Sequence, residues 1–349
     1  MTIDGRLGTH PNPSLFQGGV GVGTSIRTLM NYSDINKVLK DALHHLFPDR
    51  EIESIGRLVL EHLTGMSWVQ IRLNHEKEFT PYEESQIGGI IARLKKHEPI
   101  QYILGETEFY GLKLKVRPGV LIPRGETEEL VDWIIKAQVV ETHNHASLRE
   151  LKPDEKEGLR VLDIGCGSGA IAIALAKYLF HAEVVASDIS QEALELTNEN
   201  AALNGLTVET HNYASLQTFL FDILAPQLPV IPAQAAPAFA GVTSAPVSYD
   251  VIVSNPPYVP IGEMTSMDLH VVEYEPKTAL FVPDHDPLLF YRAIAEFAAS
   301  HLNPGGQVFV EIHDRLGEET ADVFRKWFTN VELRKDIHGK DRMIRAQNG

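Results

Sequence analysis

The 349-residue sequence predicts an α/β fold, in which a mostly parallel sheet with helices on both faces ends in an antiparallel hairpin and follows a small helical domain. Three observations predict it. After residue 158, short runs rich in β-branched residues alternate with longer segments of helical periodicity. Between residues 33 and 105, apolar residues recur at helical spacing. Residues 331–347, VELRKDIHGKDRMIRAQ, alternate around a central glycine, which is typical of a hairpin.

The first 125 residues contain three segments of different composition. Residues 1–32 are rich in Gly, Pro, Ser and Asn and poor in large apolar side chains, which predicts a flexible tail. Residues 33–105 begin with Ser33 as a helix cap and predict three or four amphipathic helices. Residues 106–125 include the alternating stretch TEFYGLKLKVRPGVLI, so we expect a β-hairpin that joins two domains.

Residues 126–349 form the predicted α/β domain. A helix begins near Glu126, and a polar linker follows from about residue 141 to 158. Residues 225–247 are dense in Pro, Ala and Gly without any charge, so we expect an inserted loop. The predicted strands are RVLDI (160–164), EVVAS (183–187), DVIVS (250–254) and QVFVEI (307–312), and the predicted helices lie at about 169–179, 191–204, 287–302 and 316–329.

Composition limits the partners and the compartment. The net charge of −16 opposes binding to a phosphate backbone, so a long nucleic acid is not the expected partner. Cys166 is the single cysteine, which excludes an internal disulfide. No apolar run approaches the roughly 18 residues that span a bilayer, and the N-terminus lacks a signal-like pattern. We therefore expect a cytoplasmic protein without a membrane partner. The scattered histidines predict no metal site.

A glycine-rich turn follows the first strand of the α/β domain in DIGCGSGAIAIALA (163–176). Gly165, Gly167 and Gly169 allow a sharp turn and a close approach of the backbone to a ligand. Asp188 ends the next strand, from which a carboxylate can bind both hydroxyls of a ribose. Because Ala170 follows the glycines, these residues also match the G-x-G-x-x-A pattern of dinucleotide-binding proteins.

Further residues of the turn and the next strand ends complete the predicted cofactor site. Asp163 suits an amine and a sulfonium better than a pyrophosphate. Cys166 and Ser168 lie within the turn, where Cys166 supplies a small side chain. Asp222 stands where a third strand would end, within reach of an adenine amino group. These features favour S-adenosylmethionine over a dinucleotide.

The sequence VSNPPYVP (253–260) follows a predicted strand and can hold a planar amide or amine. The nitrogen of such a group is a poor nucleophile, because its lone pair is delocalised. Asn255 supplies a side-chain carbonyl, and Pro256 and Pro257 leave backbone carbonyls without competing N–H groups. Tyr258 offers a flat face to a planar acceptor. Glu311 follows a buried strand, but methyl transfer to an amide requires no acid–base pair, so no catalytic role is predicted for it.

Four segments carry a resemblance to a known family: EPIQYILGETEFYGLKLKV (98–116), LIPRGETEELV (121–131), VLDIGCGSGAIAIALA and IVSNPPYVP. The chain resembles the HemK/PrmC family of release-factor glutamine N5-methyltransferases. The NPPY motif also occurs in DNA adenine-N6 and RNA methyltransferases. The two upstream segments belong to neither group and therefore narrow the choice.

The resemblance implies a class I S-adenosylmethionine-dependent methyltransferase domain and a helical domain that helps to grip a peptide-chain release factor. The acceptor would be the glutamine amide of the GGQ loop, and the product S-adenosylhomocysteine. The resemblance implies that Asn255 and Pro256 bind that amide, with Tyr258 packed on it. It also implies that Gly165 to Gly169, Asp188 and Asp222 hold the cofactor, together with Asp163, Ile223 and Asn255, while Arg124 and Glu126 line the approach. We expect a monomer.

Departures from the family pattern and other functions also bear on the prediction. Gly125 stands where the family usually has proline, and Ile223 stands where an aromatic residue commonly packs on adenine, so we expect aliphatic packing there. The insertion and the tail have no counterpart. The alternatives are methylation of a ribosomal-protein glutamine or of an exocyclic amine of a nucleic-acid base, an NAD-dependent oxidoreductase, and a non-catalytic binding protein on the same scaffold.

Overall fold

The computed structural model describes residues 30–146, 158–179, 182–206, 215–225 and 248–348. Most of the predicted tail and insertion, and residues 147–157 of the predicted linker, lie outside the described residues. None of the helices within the described ranges is long and apolar enough to cross a membrane.

A helical domain forms the first part of the described chain. Its helices are α1 (Ile35–Leu43), α2 (Asp49–Thr64), α3 (Trp68–Leu73), α4 (Pro81–Leu94) and α5 (Ile100–Leu104). Their apolar faces meet in one core that includes Leu39, Val59 and Ile87. The sequence predicted three or four helices. The difference comes from α3 and α5, which have six and five residues and are too short for a 3.6-residue period to be visible.

A β-hairpin of strands β1 (Glu106–Phe109) and β2 (Leu112–Lys115) follows the helical domain. Tyr110 and Gly111 form its two-residue turn, with φ of 49° and 74°. Positive φ at both positions gives the turn a twist that matches the flanking strands. The Asn200 side chain accepts a hydrogen bond from the backbone N–H of Lys115 at 2.7 Å, which fastens the hairpin to the next domain.

The second domain alternates strands and helices. In chain order its elements are α6 (Gly125–Ala146), β3 (Arg160–Ile164), α7 (Ala170–Tyr178), β4 (Glu183–Asp188), α8 (Gln191–Leu203), β5 (Ser215–Leu220), β6 (Tyr249–Ser254), β7 (Val259–Pro260), α9 (Leu269–Tyr274), α10 (Lys277–Leu280), β8 (Phe281–Val282), α11 (Leu289–His301), β9 (Leu302–Glu311), α12 (Gly317–Arg325), β10 (Asn330–Lys335) and β11 (Asp341–Gln347).

The central sheet of this domain has seven strands in the order β10-β11-β9-β6-β3-β4-β5. The five strands from β9 to β5 are parallel, and β11 pairs antiparallel with β9 and β10. Alternate residues of β3 pack on opposite faces: Val161 contacts the layer of α6 and α7, while Leu162 contacts the layer of α11 and α12. The predicted fold class, including the terminal antiparallel hairpin, is confirmed.

Three parts of this domain differ from the sequence prediction. Helix α6 continues to Ala146, into the predicted polar linker, because residues 141–146 contain no proline or glycine to end it. Strand β5 ends at Leu220, two residues before Asp222, where a third strand was expected to end; within the described ranges it pairs with β4. The elements from β7 to β8 have two to six residues and left no periodic signal.

Candidate active site

A cavity of about 540 Å³ lies beyond the carboxyl ends of β3, β4 and β6. Parallel strands place the residues that follow them at one edge of the sheet, which is where ligands of open α/β sheets bind. The sequence-predicted residues that line the cavity are Arg124, Gly165, Cys166, Gly167, Ser168, Asp188, Asp222, Ile223, Asn255, Pro256 and Pro257. Four others, Glu126, Tyr258, Asp163 and Gly169, are not among its lining residues.

Hydrogen bonds to the last residues of β4 hold the glycine-rich turn in place. Gly165 and Gly167 have backbone φ angles of 77° and 55°, which residues other than glycine rarely adopt. The N–H of Gly165 donates to the Ser187 carbonyl at 2.8 Å, and the N–H of Gly167 donates to Asp188 Oδ2 at 2.9 Å. A Cβ on Gly165 would meet no atom within 4 Å, so open space borders the turn.

Gly169 serves packing rather than the cavity wall. It caps the N-terminus of α7 with a φ of 80°. A Cβ at this position would stand 2.8 Å from Thr197 Cγ2 and 2.9 Å from Thr197 Oγ1. The Thr197 hydroxyl donates to the Gly167 carbonyl at 3.1 Å, so the close contact at Gly169 also positions the turn.

Three carboxylates border the turn in different environments. Asp163 is fully buried; its Oδ2 accepts from the Ala172 N–H at 3.1 Å, and its Oδ1 has no hydrogen-bond partner among the described residues. Burial raises the pKa of Asp163 to about 8. Burial also raises the pKa of Asp188, although backbone N–H donors oppose the shift. Asp222 accepts from the Leu224 N–H at 2.9 Å and is half-buried.

An apolar slot lies beside Asp188 and Asp222. Its members are Ile189, Phe221, Ile223 and Leu224, which all line the cavity. Ile189 is 65% exposed, which is unusual for so large an apolar side chain beside a cavity. Sequence reasoning singled out Ile223 alone. An apolar residue directly after each acid was the signal that could have revealed Ile189 as well.

Asn255 is held by a chain of hydrogen bonds that leads into the protein. Its Nδ2 donates to Thr127 Oγ1 at 3.1 Å, and the Thr127 hydroxyl donates to Glu311 Oε2 at 2.6 Å. Thr127 and Glu311 are 4% and 1% exposed. Among the described residues, the Asn255 carbonyl has no hydrogen-bond donor, so its acceptor is available to the cavity. Sequence reasoning missed Thr127, because no pattern marked its hydroxyl.

Tyr258 belongs to the same hydrogen-bond network, because it binds the other carboxyl oxygen of Glu311. Its hydroxyl donates to Glu311 Oε1 at 3.0 Å, and its ring stands edge-on to His313 with centroids 6.1 Å apart. Burial and the Glu311 carboxyl raise the pKa of the Tyr258 hydroxyl, which keeps it a donor. Burial likewise raises the pKa of Glu311, opposed by its two hydroxyl donors. The predicted stacking of Tyr258 on an acceptor stays a prediction.

Arg124 contributes to one wall through an ion pair. Its guanidinium donates to Glu275, whose side chain is fully buried and also accepts from the Ile122 N–H at 3.2 Å. The pair fastens the segment before α6 to the end of α9. Gly125 is the first residue of α6, a position that proline also suits, so the departure from the family pattern leaves the helix start intact. Sequence reasoning missed Glu275.

Comparison with known proteins gives matches over most of the chain. The model of the PrmC N-terminal domain matches residues 39–105, and that of a methyltransferase domain matches residues 155–225. The release factor glutamine methyltransferase of Flavobacterium psychrophilum is 40% identical over 306 residues, covering 87% of this chain and 95% of that protein. The protein of the same name from Bacteroides thetaiotaomicron is 37% identical over 313 residues, covering 89% and 98%.

Solved structures are more distant. The magnesium protoporphyrin IX methyltransferase of Synechocystis with bound SAM is 14% identical with a TM-score of 0.36, covering 64% of this chain and 80% of that chain. The full-length relatives and the N-terminal domain match therefore decide the assignment. The chain is an enzyme with a methyltransferase domain, and it belongs to the family of release factor glutamine methyltransferases.

Proposed function

We propose that the chain transfers the methyl group of S-adenosylmethionine to the glutamine side-chain amide in the GGQ loop of a peptide-chain release factor. The observation that carries the proposal is the shared cavity. The glycine turn follows Ile164 at the end of β3, and Asn255 follows Ser254 at the end of β6. Ile164 and Ser254 are paired with each other in these adjacent strands, and both the turn and Asn255 line the cavity. A cofactor on the turn and an amide at Asn255 therefore lie side by side.

The residues of the cavity fit S-adenosylmethionine by charge and shape. Asp163 does not line the cavity; its Oδ1 is a buried acceptor without a partner among the described residues, so it is not counted among the contacts to that cofactor. Asp188 suits ribose hydroxyls, and Asp222 with the apolar slot suits an adenine. A pyrophosphate would meet these carboxylates with repulsion, which argues against a dinucleotide. When bound, S-adenosylmethionine supplies an electrophilic methyl group on a sulfonium.

Asn255 and Pro256 prepare the acceptor amide. The Asn255 carbonyl and the Pro256 carbonyl accept the two N–H hydrogens, which turns the nitrogen lone pair toward the methyl group as conjugation is lost. The amide nitrogen gains a bond to the methyl carbon as the carbon–sulfur bond breaks, and that bond's electron pair goes to sulfur. The nitrogen then loses one proton to solvent, so no general base is required.

The release factor is the partner that the relatives' name indicates. The net charge of −16 supports a protein acceptor over a nucleic acid. We further propose that the enzyme acts as a monomer in the cytoplasm, with the helical domain as the part that grips the release factor.

Labelled S-adenosylmethionine tests the proposal directly. The enzyme is incubated with a release factor, with its GGQ-to-GGA variant and with nucleic acid. Label should enter the GGQ protein alone; label in nucleic acid, or equal label in both proteins, would refute the proposal. The Asn255→Ala variant should lose transfer while its cofactor affinity stays within about tenfold, or about 1.4 kcal/mol, because its main proposed role is to hold the acceptor and other residues also hold the cofactor.

A further inference from the structure

The side-chain amide of Asn255 can face the cavity with either of two ends of nearly equal shape. With Oδ1 toward the cavity it accepts the N–H of a substrate amide, whereas with Nδ2 toward the cavity it would donate to a carboxylate. The hydrogen-bond network decides between these orientations. Whatever fixes Asn255 therefore also fixes which acceptor the site can hold.

Thr127 is the group that touches Asn255, and its hydroxyl carries a single proton. That oxygen lies 2.6 Å from Glu311 Oε2 and 3.1 Å from Asn255 Nδ2. If the proton points to Glu311, the Thr127 oxygen can only accept, and Asn255 must present Nδ2 to it. If the proton pointed to Asn255, Asn255 would turn its carbonyl away from the cavity.

Glu311 determines the direction of the Thr127 proton. Each of its carboxyl oxygens faces a hydroxyl donor, from Thr127 on one side and from Tyr258 on the other. A carboxylate accepts from both and has no proton to return, so both contacts are satisfied only when the hydroxyls donate. The buried acid thus sets one hydrogen-bond direction from Glu311 through Thr127 to Asn255.

We propose that Thr127 and Glu311 are positioning residues that turn the Asn255 carbonyl toward the substrate and make the acceptor site select a side-chain amide over a carboxylate. The inference rests on the proposed function for the identity of the acceptor. Glutamine and glutamate have almost the same shape, so the site must distinguish them by hydrogen-bond polarity. In a site whose carbonyl oxygens accept from N–H donors, a glutamate carboxylate would place its own acceptor oxygens against those carbonyls with no hydrogen between them. This arrangement disfavours the binding of glutamate.

Three substitutions separate direction from shape. Glu311→Gln keeps the size but adds an N–H donor that can donate to Thr127, which reverses the chain and turns Asn255 Nδ2 toward the cavity. Thr127→Val removes the hydroxyl, whereas Thr127→Ser restores it. Thr320→Val is the matched control, because Thr320 is buried in α12, donates its hydroxyl to the Leu316 carbonyl at 2.6 Å and does not line the cavity.

The first measurement compares binding and methylation of the release factor with those of its GGE variant. Glu311→Gln should weaken GGQ binding by about tenfold and strengthen GGE binding, and Thr127→Val should lower kcat by about tenfold, while cofactor affinity stays unchanged in both. Thr127→Ser should recover most of the activity, and Thr320→Val should keep wild-type kcat. Wild-type GGQ/GGE preference in both Glu311→Gln and Thr127→Val would overturn the proposal.

A second measurement needs no substrate. In the free enzyme, NMR measures how slowly the Asn255 side-chain N–H₂ protons exchange with water. The hydrogen bond from Asn255 Nδ2 to Thr127 Oγ1 should slow this exchange, which is the protection that is compared between variants. Protection should persist in Thr127→Ser and be lost in Glu311→Gln and Thr127→Val. Equal protection in all variants would overturn the positioning role even if the release factor is methylated. Failure of the wild type to methylate the release factor would instead count against the proposed function, so the two failures are distinguishable.

Discussion

Replacing Gly169 with alanine should destabilise the methyltransferase domain through two separable effects. The backbone φ of 80° lies in the left-handed region, where a Cβ costs about 1–2 kcal/mol. The new Cβ would also stand 2.8 Å and 2.9 Å from two atoms of Thr197, a side chain with no exposed surface. Such overpacking typically costs a further 1–3 kcal/mol or so. The expected loss in unfolding free energy is therefore about 2–5 kcal/mol.

The contact part can be reduced by a second substitution. Thr197→Ala deletes the two closest atoms and leaves Ile173 Cδ1 at 3.0 Å, so in that background Gly169→Ala should cost less than in the wild type, approaching the backbone part of about 1–2 kcal/mol. Gly205→Ala is the control for the backbone part alone, since Gly205 has a φ of 71° and a Cβ there would meet nothing within 4 Å.

Urea titrations followed by circular dichroism would measure the unfolding free energy of the wild type, the two single variants, the double variant and the control. The reasoning fails if Gly169→Ala costs the same with and without the Thr197 side chain. It also fails if Gly169→Ala costs no more than Gly205→Ala, because the structure gives only Gly169 a close neighbour.

Two further predictions concern the cofactor turn and its buried acid. Gly165→Ala should cost about as much stability as Gly205→Ala, because both glycines have positive φ and a Cβ at either one would meet open space. In calorimetric titrations, Gly165→Ala should nevertheless weaken S-adenosylmethionine binding by about tenfold. Equal cofactor affinity in these two variants would contradict the assignment of the turn. Asp163 has a folded-state pKa of about 8, above its unfolded value, so the folded state holds the proton more tightly and this stabilisation is lost as the pH rises. Relative to Asp163→Asn, the ligand-free wild type should lose up to about 1.4 kcal/mol of unfolding free energy per pH unit as the pH rises from about 4 toward 8, and the loss should level off above pH 8; parallel curves from urea titrations at several pH values would contradict this.

The sequence contained enough local information for most of the fold. Buried strands such as β3 and β6 contain short runs of Val, Leu and Ile, and the helices between the strands are long enough to show their period. The bounds of β5 were not predicted because its sequence lacks a clear period, and the elements after β6 are too short to show one. The extent of α6 was missed because a polar composition does not by itself end a helix.

The residues of the candidate site also divide into those that local sequence can predict and those that it cannot. Residues that end a strand or directly follow one, such as Asp188 and Asn255, could be predicted, because parallel strand ends meet at one edge. Thr127 could not, since its partner Glu311 lies 184 residues away and no local pattern joins a threonine to a distant acid. Tyr258 illustrates a further limit: the motif marks its position, but the direction of its hydroxyl depends on Glu311.

The pairing of Ile164 with Ser254 has a consequence for how this enzyme can change over time. The methyl donor and the acceptor are supported by loops that leave neighbouring strands at the same level, and the Ser254 hydroxyl ties the two strands at 2.7 Å from the Ile164 carbonyl. One residue inserted into either strand would displace one loop by about 3.3 Å and reverse the side chains beyond it. Within β3 and β6, a length change of even one residue should therefore separate the methyl donor from the acceptor.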